Sequence, residues 1–573
     1  MNSPSPEASS KPRISRFSSA EFGRLIGIAS DSRHAAQIHA QLLTRSRISS
    51  PVLFNKLLAL YSRCGQVLQS LALFSNSDSG TNFDDSAAKN VFTYTSLITQ
   101  LSRSALPVRA LSYFNEMRCR SIFPNHFTFS AILPACGDVD AVVGKQMHSL
   151  VLKHGFEPDV FVSSALVGMY SGLADVNCAR KVFDEMPERN LVCWNSLLVG
   201  LQRNENYPEA ISLFSDLLAE VDLSPDQVSF STVLIAIANS RCSATGRKVH
   251  GIAVQHGLDS LPYVMNSLMD MYCKCGILED AELLFMTMEG DGDAVTWNVM
   301  AMGFVENGDF ERACTHFRRM IRRGVSPDAV SFSTVLHAAA SGASLDQGIS
   351  IHARVVKYGF GGNSCVSTPL ISMYAKCGSF LDAERAFAET GIRSVLTWTA
   401  MISAVHRHGR ADRVIQVFDD MIRDGVEPDR VTFVSVLSAC AHTGNVDLGR
   451  HYFDMIGNRY GIEPGIEHFA CMVDMLCRAG RLQDAVEFAE EMPVEPDAYV
   501  LGALLGCCRD CDDLPTGEIV ARKLFRIEPD NPGNYVVLHE LYSSRGRVEE
   551  AQHVRKLMES NWVNKVAGGS CFL

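Results

Sequence analysis

The chain of 573 residues repeats itself with a period close to one hundred residues. An aromatic residue recurs in similar surroundings at intervals of 100, 103 and 101 residues, at Tyr94, Trp194, Trp297 and Trp398. A fixed period is typical of repeat architectures, in which each unit packs only against its neighbours. It argues against the three or four independent domains, of roughly 150 residues each, that the length alone suggests.

Two further columns of residues keep the same spacing. In both columns the successive intervals are 109, 102 and 102 residues, and the first is lengthened by the segment 75–88. The columns are formed by the histidines His39, His148, His250 and His352 and by the tyrosines Tyr61, Tyr170, Tyr272 and Tyr374. Three columns that stay in step indicate one continuous repeat.

Each period divides into three units of roughly 31–36 residues, many of which end in Pro-Asp or Pro-Asn. Within the units, apolar residues such as Ala110, Phe114 and Met117 recur at the spacing of a helix. A glycine near the middle, such as Gly276, is typical of a helix end. Because one pair of short helices cannot bury its apolar faces alone, neighbouring pairs must stack. The sequence predicts an all-α solenoid of stacked helix-turn-helix repeats.

The amino-acid composition indicates a chain with a core and excludes several classes of protein. Hydrophobic residues make up 47% of the chain and charged residues 20%, which is enough apolar material for a core. The formal net charge of −12 argues against a protein that holds nucleic acid through a polybasic surface. No stretch approaches the ~18 apolar residues of a membrane span, so no membrane partner is predicted. Eighteen scattered cysteines are too sparse for a disulfide scaffold.

The sequence contains no recognisable catalytic or metal-binding motif. The pair Cys508-x-x-Cys511, preceded by Cys507, lacks the second ligand pair that a structural zinc site needs. Zinc deaminases carry H-x-E followed by P-C-x-x-C, and neither pattern occurs in the chain. We therefore predict that the protein is not an enzyme and holds no cofactor or metal.

The units resemble pentatricopeptide repeats of the plant class that alternates standard, long and short motifs. The tetratricopeptide signature W-x₂-L-G-x₂-Y is missing. The resemblance rests on the sequence segments DEMPERN at 184–190, GKQMH at 144–148, YAKCG at 374–378 and WTAMIS at 398–403. It implies a right-handed α-solenoid superhelix with a repeat tract over 16–497, two C-terminal extension motifs of the E class over 498–565 and a short tail at 566–573.

In this register three kinds of motif alternate. Standard motifs are 91–125, 191–226, 294–328 and 395–429. Long motifs are 126–159, 227–261, 329–363, a variant at 430–465 and a degenerate motif at 16–50. Short motifs are 51–90, 160–190, 262–293, 364–394 and a variant at 466–497. The extension motifs are 498–531 and 532–565.

The N-terminal segment 1–15 has two interpretations. The first twenty residues contain seven serines, three basic residues and one acid. This composition is typical of organelle transit peptides, although an ordinary disordered N-terminus has it too. With the family resemblance it favours a mitochondrial protein, and a chloroplast protein is the alternative.

The resemblance implies that the fifth and last residues of a motif together read one RNA base. Asn195 with Asp226, Asn266 with Asp293, and Asn298 with Asp328 then suggest uracil. Thr95 with Asn125 and Ser164 with Asn190 suggest adenine, Asn55 with Asn90 a pyrimidine and Thr399 with Asp429 guanine, whereas Thr368 with Ser394 gives no clear base. The alternative interpretation is that these Asn and Asp residues are only helix caps.

The implied function is sequence-specific binding of single-stranded organellar RNA of the form Y-A-n-A-U-n-U-U-n-n-G-n-n. Proteins of the E class specify sites of C-to-U editing. A DYW-type deaminase acting in trans, together with other editing factors, is then expected to dock on the C-terminal extension. The alternatives are a transcript stabilisation, splicing or translation factor without editing, and a protein-binding scaffold.

Overall fold

The computed structural model describes residues 32–44, 51–76, 89–288 and 292–560. Within these ranges the chain forms 31 α-helices and no β-strand. The helices fall into two compact units, which divide between Leu284 and Phe285. The segments 1–15 and 566–573 lie outside the described residues. None of the described helices is long and apolar enough to cross a bilayer.

The first unit contains fourteen complete helices and the beginning of α15. They are α1 (Ser32–Thr44), α2 (Pro51–Arg63), α3 (Val67–Asn76), α4 (Val91–Arg103), α5 (Pro107–Cys119), α6 (His126–Gly137), α7 (Ala141–His154), α8 (Val160–Gly172), α9 (Val176–Glu185), α10 (Leu191–Arg203), α11 (Tyr207–Ala219), α12 (Gln227–Ser240), α13 (Ser243–Gln255), α14 (Pro262–Lys274) and α15 (Leu278–Met288).

The second unit contains the remaining helices. They are α16 (Ala294–Glu306), α17 (Phe310–Arg322), α18 (Ala329–Ser341), α19 (Leu345–Lys357), α20 (Ser364–Lys376), α21 (Phe380–Glu389), α22 (Val395–Arg407), α23 (Ala411–Arg423), α24 (Arg430–Thr443), α25 (Val446–Asn458), α26 (Ile466–Arg478), α27 (Leu482–Glu490), α28 (Ala498–Asp510), α29 (Leu514–Ile527), α30 (Pro532–Ser544) and α31 (Val548–Ser560).

Every even-numbered helix is the first helix of a motif, and the odd-numbered helix after it is the second. The two are joined by a tight turn, in which Gly276 (φ 75°) and Gly378 (φ 82°) adopt the left-handed conformation that glycine allows without a steric cost. In each unit a first helix packs against the next first helix, as α6 does on α8. The second helix packs on its own partner and on the next first helix. The predicted all-α repeat solenoid is confirmed, while its right-handed course stays a prediction.

The aromatic column has one packing role in every period. Trp194 meets Phe183 edge to face at 4.9 Å between ring centroids, and Trp398 meets Phe387 in the same way at 4.8 Å. The pairs Phe285–Trp297 and Phe74–Tyr94 repeat this contact. In each case the second helix of a short motif supplies the phenylalanine for the following standard motif. These contacts fix the step between those motifs, because edge-to-face pairs add to the energy of apolar burial.

Each histidine of the histidine column is hydrogen-bonded to the tyrosine of the tyrosine column in the following motif. Nδ1 of His148 lies 2.8 Å from the hydroxyl of Tyr170, and His352 and Tyr374 have the same separation. The pairs His39–Tyr61 and His250–Tyr272 repeat it at 2.8 and 2.9 Å. Burial lowers the pKa of each of these four histidines. These columns are therefore structural.

Two glycines within helices differ in their surroundings: Gly200 lies at a close contact between helices, whereas Gly251 has free space around it. A Cβ on Gly200, in α10, would lie 2.5 Å from Cβ of Ser171 in α8, while a Cβ on Gly251, in α13, would meet nothing within 4 Å. Gly200→Ala is expected to lower the free energy of unfolding by about 1–3 kcal/mol, because the helices must separate. Gly251→Ala, the matched control, should raise it by about 0.5–1 kcal/mol. Urea unfolding and hydrogen exchange in α8 and α10 measure both effects, and equal results for the two variants would contradict the close approach.

Candidate nucleic-acid interface

The last residues of the motifs lie at the start of the next first helix. The side chain of each accepts a hydrogen bond from the first turn of that helix, which is the N-cap arrangement. This holds for Asn90, Asn125, Asn190, Asp226, Asp293, Asp328, Ser394 and Asp429. The capping role left open by the sequence is therefore real, and any further role must use the atoms that capping leaves available.

The fifth residue of a motif lies beside the cap of the next helix. Between them is the third residue of the next motif, usually Ser or Thr, whose side chain contacts both. We call these three residues a junction cluster. The clusters whose members share a unit are Asn55–Asn90–Thr93, Thr95–Asn125–Thr128, Ser164–Asn190–Cys193, Asn195–Asp226–Ser229, Asn298–Asp328–Ser331, Thr368–Ser394–Thr397 and Thr399–Asp429–Thr432. The structure thus brings together seven of the eight predicted pairs.

The clusters with Asn and Asp are the most completely connected. Nδ2 of Asn195 donates to Oδ1 of Asp226 at 3.1 Å, and Oδ1 of Asn195 accepts from the Ser229 hydroxyl at 2.7 Å. The cluster of Asn298, Asp328 and Ser331 repeats both bonds, at 3.0 and 2.7 Å. These hydrogen bonds fix each asparagine amide in one orientation.

The two aspartates of these clusters are held ionised. Partial burial raises the pKa of Asp226, but hydrogen bonds from Ser229, Asn195 and Val228 outweigh it, and the net pKa is lowered. The pKa of Asp328 is lowered by the same balance, with Ser331 and Asn298 as donors. The side-chain bonds of both end on Oδ1, so each carboxylate keeps Oδ2 as an acceptor for another donor.

Hydroxyl groups replace the amide in other clusters. The Thr95 and Thr128 hydroxyls lie 2.7 Å apart, and Thr128 donates to Oδ1 of Asn125 at 2.9 Å. Because Oδ1 of Asn125 also caps the helix, its Nδ2 is left as a donor. The Thr399 and Thr432 hydroxyls are also 2.7 Å apart, with Asp429 in place of the asparagine.

Three of the predicted pairs differ from this pattern. Ser164 contacts the thiol of Cys193 at 2.8 Å, and Cys193 links it to Asn190. Thr368 and Ser394 are connected through Thr397 by contacts of 3.2 and 3.1 Å. The third pair is divided between the units: Asn266 lies on α14 of the first and Asp293 caps α16 of the second.

Two of the long motifs, 227–261 and 430–465, do not form junction clusters of this kind. In motif 227–261 the Ser231 hydroxyl donates to the carbonyl of Gln227 in its own helix, and Leu261 makes no side-chain cap. In motif 430–465 the last residue is Gly465, whose N–H donates to Nδ1 of His468. In each of these motifs at least one of the two positions lacks a polar side chain: the last residue is Leu261 in the first, and the pair is Val434 with Gly465 in the second.

A set of exposed apolar residues was missed by the sequence reasoning. The second residue of nearly every first helix is apolar, yet it points to solvent; Tyr263 is 74% exposed and Phe161 64%. The set comprises Phe92, Phe127, Phe161, Val192, Val228, Tyr263, Val295, Val330, Leu396, Val431 and Tyr499. The detectable signal was an apolar column directly before the buried third and fourth positions. Within each unit, exposed apolar side chains that recur at one position of successive first helices indicate a candidate binding surface.

The second and fifth positions share a surface. In the first unit a cavity of about 540 Å³ is lined by the second residues Phe127, Phe161 and Val192, by the fifth residues Ser130 and Ser164, and by Arg203. We call the surface that these positions of the first helices make within a unit the first-helix face. A space of this size accommodates planar ring systems.

Positive charge on the first helices is spaced rather than clustered. The last turn of most standard and short first helices carries one basic residue, and the set is Arg63, Arg103, Arg203, Lys274, Lys376, Arg407 and Arg478. Lys274 is paired with Asp270 at 3.0 Å and Arg478 with Asp474 at 2.8 Å, in each case one turn away. Over the described ranges no cluster of His, Cys, Asp and Glu has the arrangement of a metal site.

Comparison with known families matches the repeats at several places. Residues 89–138, 292–341 and 393–442 match the PPR repeat family, and residues 192–220, 263–293 and 460–493 match the PPR repeat. Residues 512–572 match the E motif. The E-motif match overlaps most of the extension 498–565 that the family resemblance implies.

Relatives from Arabidopsis thaliana resemble the chain over nearly its whole length. The pentatricopeptide repeat-containing protein At1g03540 is 35% identical over 94% of this chain and 86% of its own length. The mitochondrial protein At2g03380 is 34% identical over 94% of this chain and 77% of its own, and the chloroplastic protein At3g49170 is 36% identical over 85% and 58%. The solved structure of the pentatricopeptide repeat protein PPR10 in complex with an 18-nt psaJ RNA element has a similar fold, with a TM-score of 0.57, 18% identity and coverage of 96% and 87%.

Proposed function

This chain belongs to the pentatricopeptide repeat family, and from that premise we propose that it binds single-stranded organellar RNA of defined sequence and specifies sites of C-to-U editing. The observation that carries the proposal is the junction cluster, which recurs in seven motifs and holds two polar side chains in fixed orientations. The fold of PPR10, which was solved with RNA, is consistent with this use. Capping accounts for the last residue alone; a surface that bound only protein would have no need for the polar fifth residue that recurs beside it.

The last residue of a motif distinguishes bases whose Watson–Crick ring nitrogen is a hydrogen-bond donor from bases in which it is an acceptor. Uracil and guanine carry an N–H donor on the Watson–Crick edge, whereas adenine and cytosine present a nitrogen acceptor there. An aspartate accepts only, so Oδ2 of Asp226 or Asp328 suits the donors of uracil and guanine. Capping fixes Nδ2 of Asn125 as a donor, which suits the acceptor of adenine or cytosine.

The length of the fifth side chain distinguishes one-ring pyrimidines from two-ring purines. Asn195 is long and offers both an amide donor and an acceptor, so it fits a one-ring pyrimidine that lies farther from the helix. Thr95, Ser164 and Thr399 are shorter and leave space for a two-ring purine. Both criteria together give uracil for Asn with Asp, adenine for Ser or Thr with Asn, and guanine for Thr with Asp, as the family resemblance implies.

The apolar second residues supply the remaining contact. A base whose edge faces a junction cluster presents its flat faces to the second residues of two neighbouring motifs, such as Phe127 and Phe161. Stacking of this kind is worth about 1–3 kcal/mol per base and does not depend on which base is bound. Affinity then comes largely from stacking, and selectivity from the polar pairs.

The C-terminal extension supports the editing part of the proposal. The match to the E motif at 512–572 places this chain among proteins with that extension. Because the chain has neither H-x-E nor P-C-x-x-C, we assign the deamination chemistry to a DYW-type deaminase acting in trans. The surface of 498–565 is its proposed docking site, together with other editing factors. The relatives named mitochondrial or chloroplastic support an organellar protein, for which we propose the mitochondrion and keep the chloroplast as the alternative.

Binding to the RNA Y-A-n-A-U-n-U-U-n-n-G-n-n is the first test. Affinity for this RNA is expected to exceed that for a scrambled version of equal composition by more than tenfold, because each mismatched base costs about 1–3 kcal/mol. The salt dependence should be shallower than that of a binder with many phosphate contacts, since the net charge is −12. Equal affinity for the two RNAs would overturn the base assignments and favour a protein-binding scaffold.

Comparison of organelle transcripts between wild-type plants and plants lacking the protein tests the editing step. One or a few cytidines are expected to lose their conversion to uridine, each a few nucleotides 3′ of a sequence that fits the proposed RNA. If every edited site were unchanged while RNA binding persisted, the protein would instead act in transcript stabilisation, splicing or translation.

A further inference from the structure

Three cysteines meet where the repeat tract joins the C-terminal extension. Cys507 and Cys511 are one turn apart at the end of α28, and their sulfurs are 4.0 Å apart. The Cys507 thiol also donates to the main-chain carbonyl of Cys477, in the last turn of α26, at 3.7 Å. These contacts lie outside the first-helix face described above, and the proposed RNA binding makes no use of them.

The two thiols of the pair differ in their surroundings. Cys511 is exposed and ends the helix as its C-cap, whereas Cys507 is only 4% exposed. Cys508, the sequence neighbour of Cys507, is fully buried in the core. A small reagent in solution therefore reaches Cys511 first, and the nearest thiol that can react onward is Cys507.

We propose that Cys507 and Cys511 form a reversible intrahelical disulfide, which makes the end of α28 an oxidation site. Residues four apart on a helix have Cα atoms about 6 Å apart, within the 4.4–6.8 Å range found for disulfides. The sulfurs must still approach each other by about 2 Å. The main chain at this helix end is held, since the N–H groups of Cys511 and Asp513 donate to the carbonyls of Cys507 and Cys508 at 2.8 Å each. The approach must therefore come mainly from rotation of the two cysteine side chains.

Hydrogen peroxide is the oxidant, and the reaction balances without another reagent. Burial and the neighbouring Cys507 raise the pKa of Cys511, so its exposure, rather than its thiolate fraction, makes it the first site of attack. Its thiolate attacks one peroxide oxygen, the O–O bond breaks and hydroxide leaves, so that a sulfenic acid forms on Cys511. The Cys507 thiolate then attacks the Cys511 sulfur, the S–O bond breaks, and a second hydroxide leaves as the S–S bond forms. Two thiols lose two protons and two electrons, and peroxide becomes two water molecules.

The surroundings of Cys507 favour the second step. Hydrogen bonds from the thiols of Cys477 and Cys511 lower the pKa of Cys507, although its burial works in the opposite direction. A thiolate is the nucleophile in disulfide formation. Oxidation also removes the S–H group that Cys507 donates to Cys477, so the contact between α26 and α28 weakens at this end.

Peptide mapping tests the proposal directly, because trypsin cleaves after Arg509, between the two cysteines. The full chain is treated with hydrogen peroxide, the remaining thiols are alkylated, and the digest is compared before and after reduction. The expected result is a linked pair of the peptides 482–509 and 510–522 that accounts for most of the 510–522 signal and disappears on reduction. Absence of this pair at peroxide concentrations that oxidise other exposed cysteines would overturn the proposal.

Three variants identify the partner of Cys511. Cys507→Ser is expected to abolish the linked pair, whereas Cys508→Ser should leave it in place. Cys365→Ser removes an exposed cysteine on α20, far along the sequence, and serves as a control that leaves the link unchanged. A pair that survives in Cys507→Ser, or a link to the peptide that contains Cys477 in place of 482–509, would also overturn the assignment.

Discussion

Replacement of Asn298 by threonine is expected to change the base preferred by motif 294–328 from uracil to guanine. The variant Asn298→Thr combines a short hydroxyl side chain with Asp328, which is the pairing that Thr399 and Asp429 form in motif 395–429. The Ser331 hydroxyl, now bonded to Asn298 at 2.7 Å, is in place to hold the new hydroxyl. Loss of the amide removes the donor and acceptor that match uracil, while the shorter side chain leaves space for a purine.

The size of this change follows from the value of one base contact. Good polar pairs discriminate between bases by about 1–3 kcal/mol, so the ratio of affinities for RNAs with uracil and guanine at this position should shift by about 5- to 150-fold. Competition binding with RNAs that differ at that single position measures the ratio. Total affinity for the preferred RNA should stay close to that of the wild type.

A matched substitution in a long motif provides the control. Ser231 is also a fifth residue, but it bonds within its own helix, and the last residue of its motif is the apolar Leu261. Ser231→Asn is therefore expected to leave base preference unchanged at every position. If Asn298→Thr weakened binding to all RNAs equally, or if Ser231→Asn altered base preference as strongly, the junction cluster would not be the element that selects the base.

Replacement of either of two exposed phenylalanines is expected to lower the affinity for RNA without changing which bases are preferred. Phe127 and Phe161 are 59% and 64% exposed and line the same cavity on the first-helix face. The variants Phe127→Ala and Phe161→Ala should each weaken RNA binding by about 1–3 kcal/mol, because each removes a stacking surface for one or two bases. The ratio between matched and mismatched RNAs should not change, since every base has a flat face.

An exposed leucine on a second helix is the control for this effect. Leu381, on α21, is 66% exposed and does not belong to the first-helix face. Leu381→Ala is expected to leave RNA affinity within experimental error of the wild type. Equal loss from Leu381→Ala would show that exposed apolar area in general, rather than the second position of the motifs, governs binding. A change in base preference in either phenylalanine variant would contradict the division between stacking and reading.

The helix pairs were largely predictable because their signals are local. An Asn or Asp at the end of a motif caps the helix that follows, so helices begin at Val91, Gln227 and Ala329, each directly after such a residue. The helical spacing of apolar residues and the left-handed glycines act over a few residues as well. The extent of each compact unit was not predictable, because the division between Leu284 and Phe285 depends on packing that the repeat period does not record.

The sequence by itself determined the repeat, its register, the helical content and the residue types at the fifth and last positions, because these depend on spacing along the chain. Only the tertiary structure decided which side chains meet. Ser229 contacts Asn195, thirty-four residues before it in the sequence, as well as Asp226. The columns that contain His148 and Tyr170 proved to be hydrogen-bonded to each other. The exposure of Phe161 was likewise decided by packing, because an apolar residue beside buried ones is turned to solvent only when the neighbouring helices leave its face uncovered.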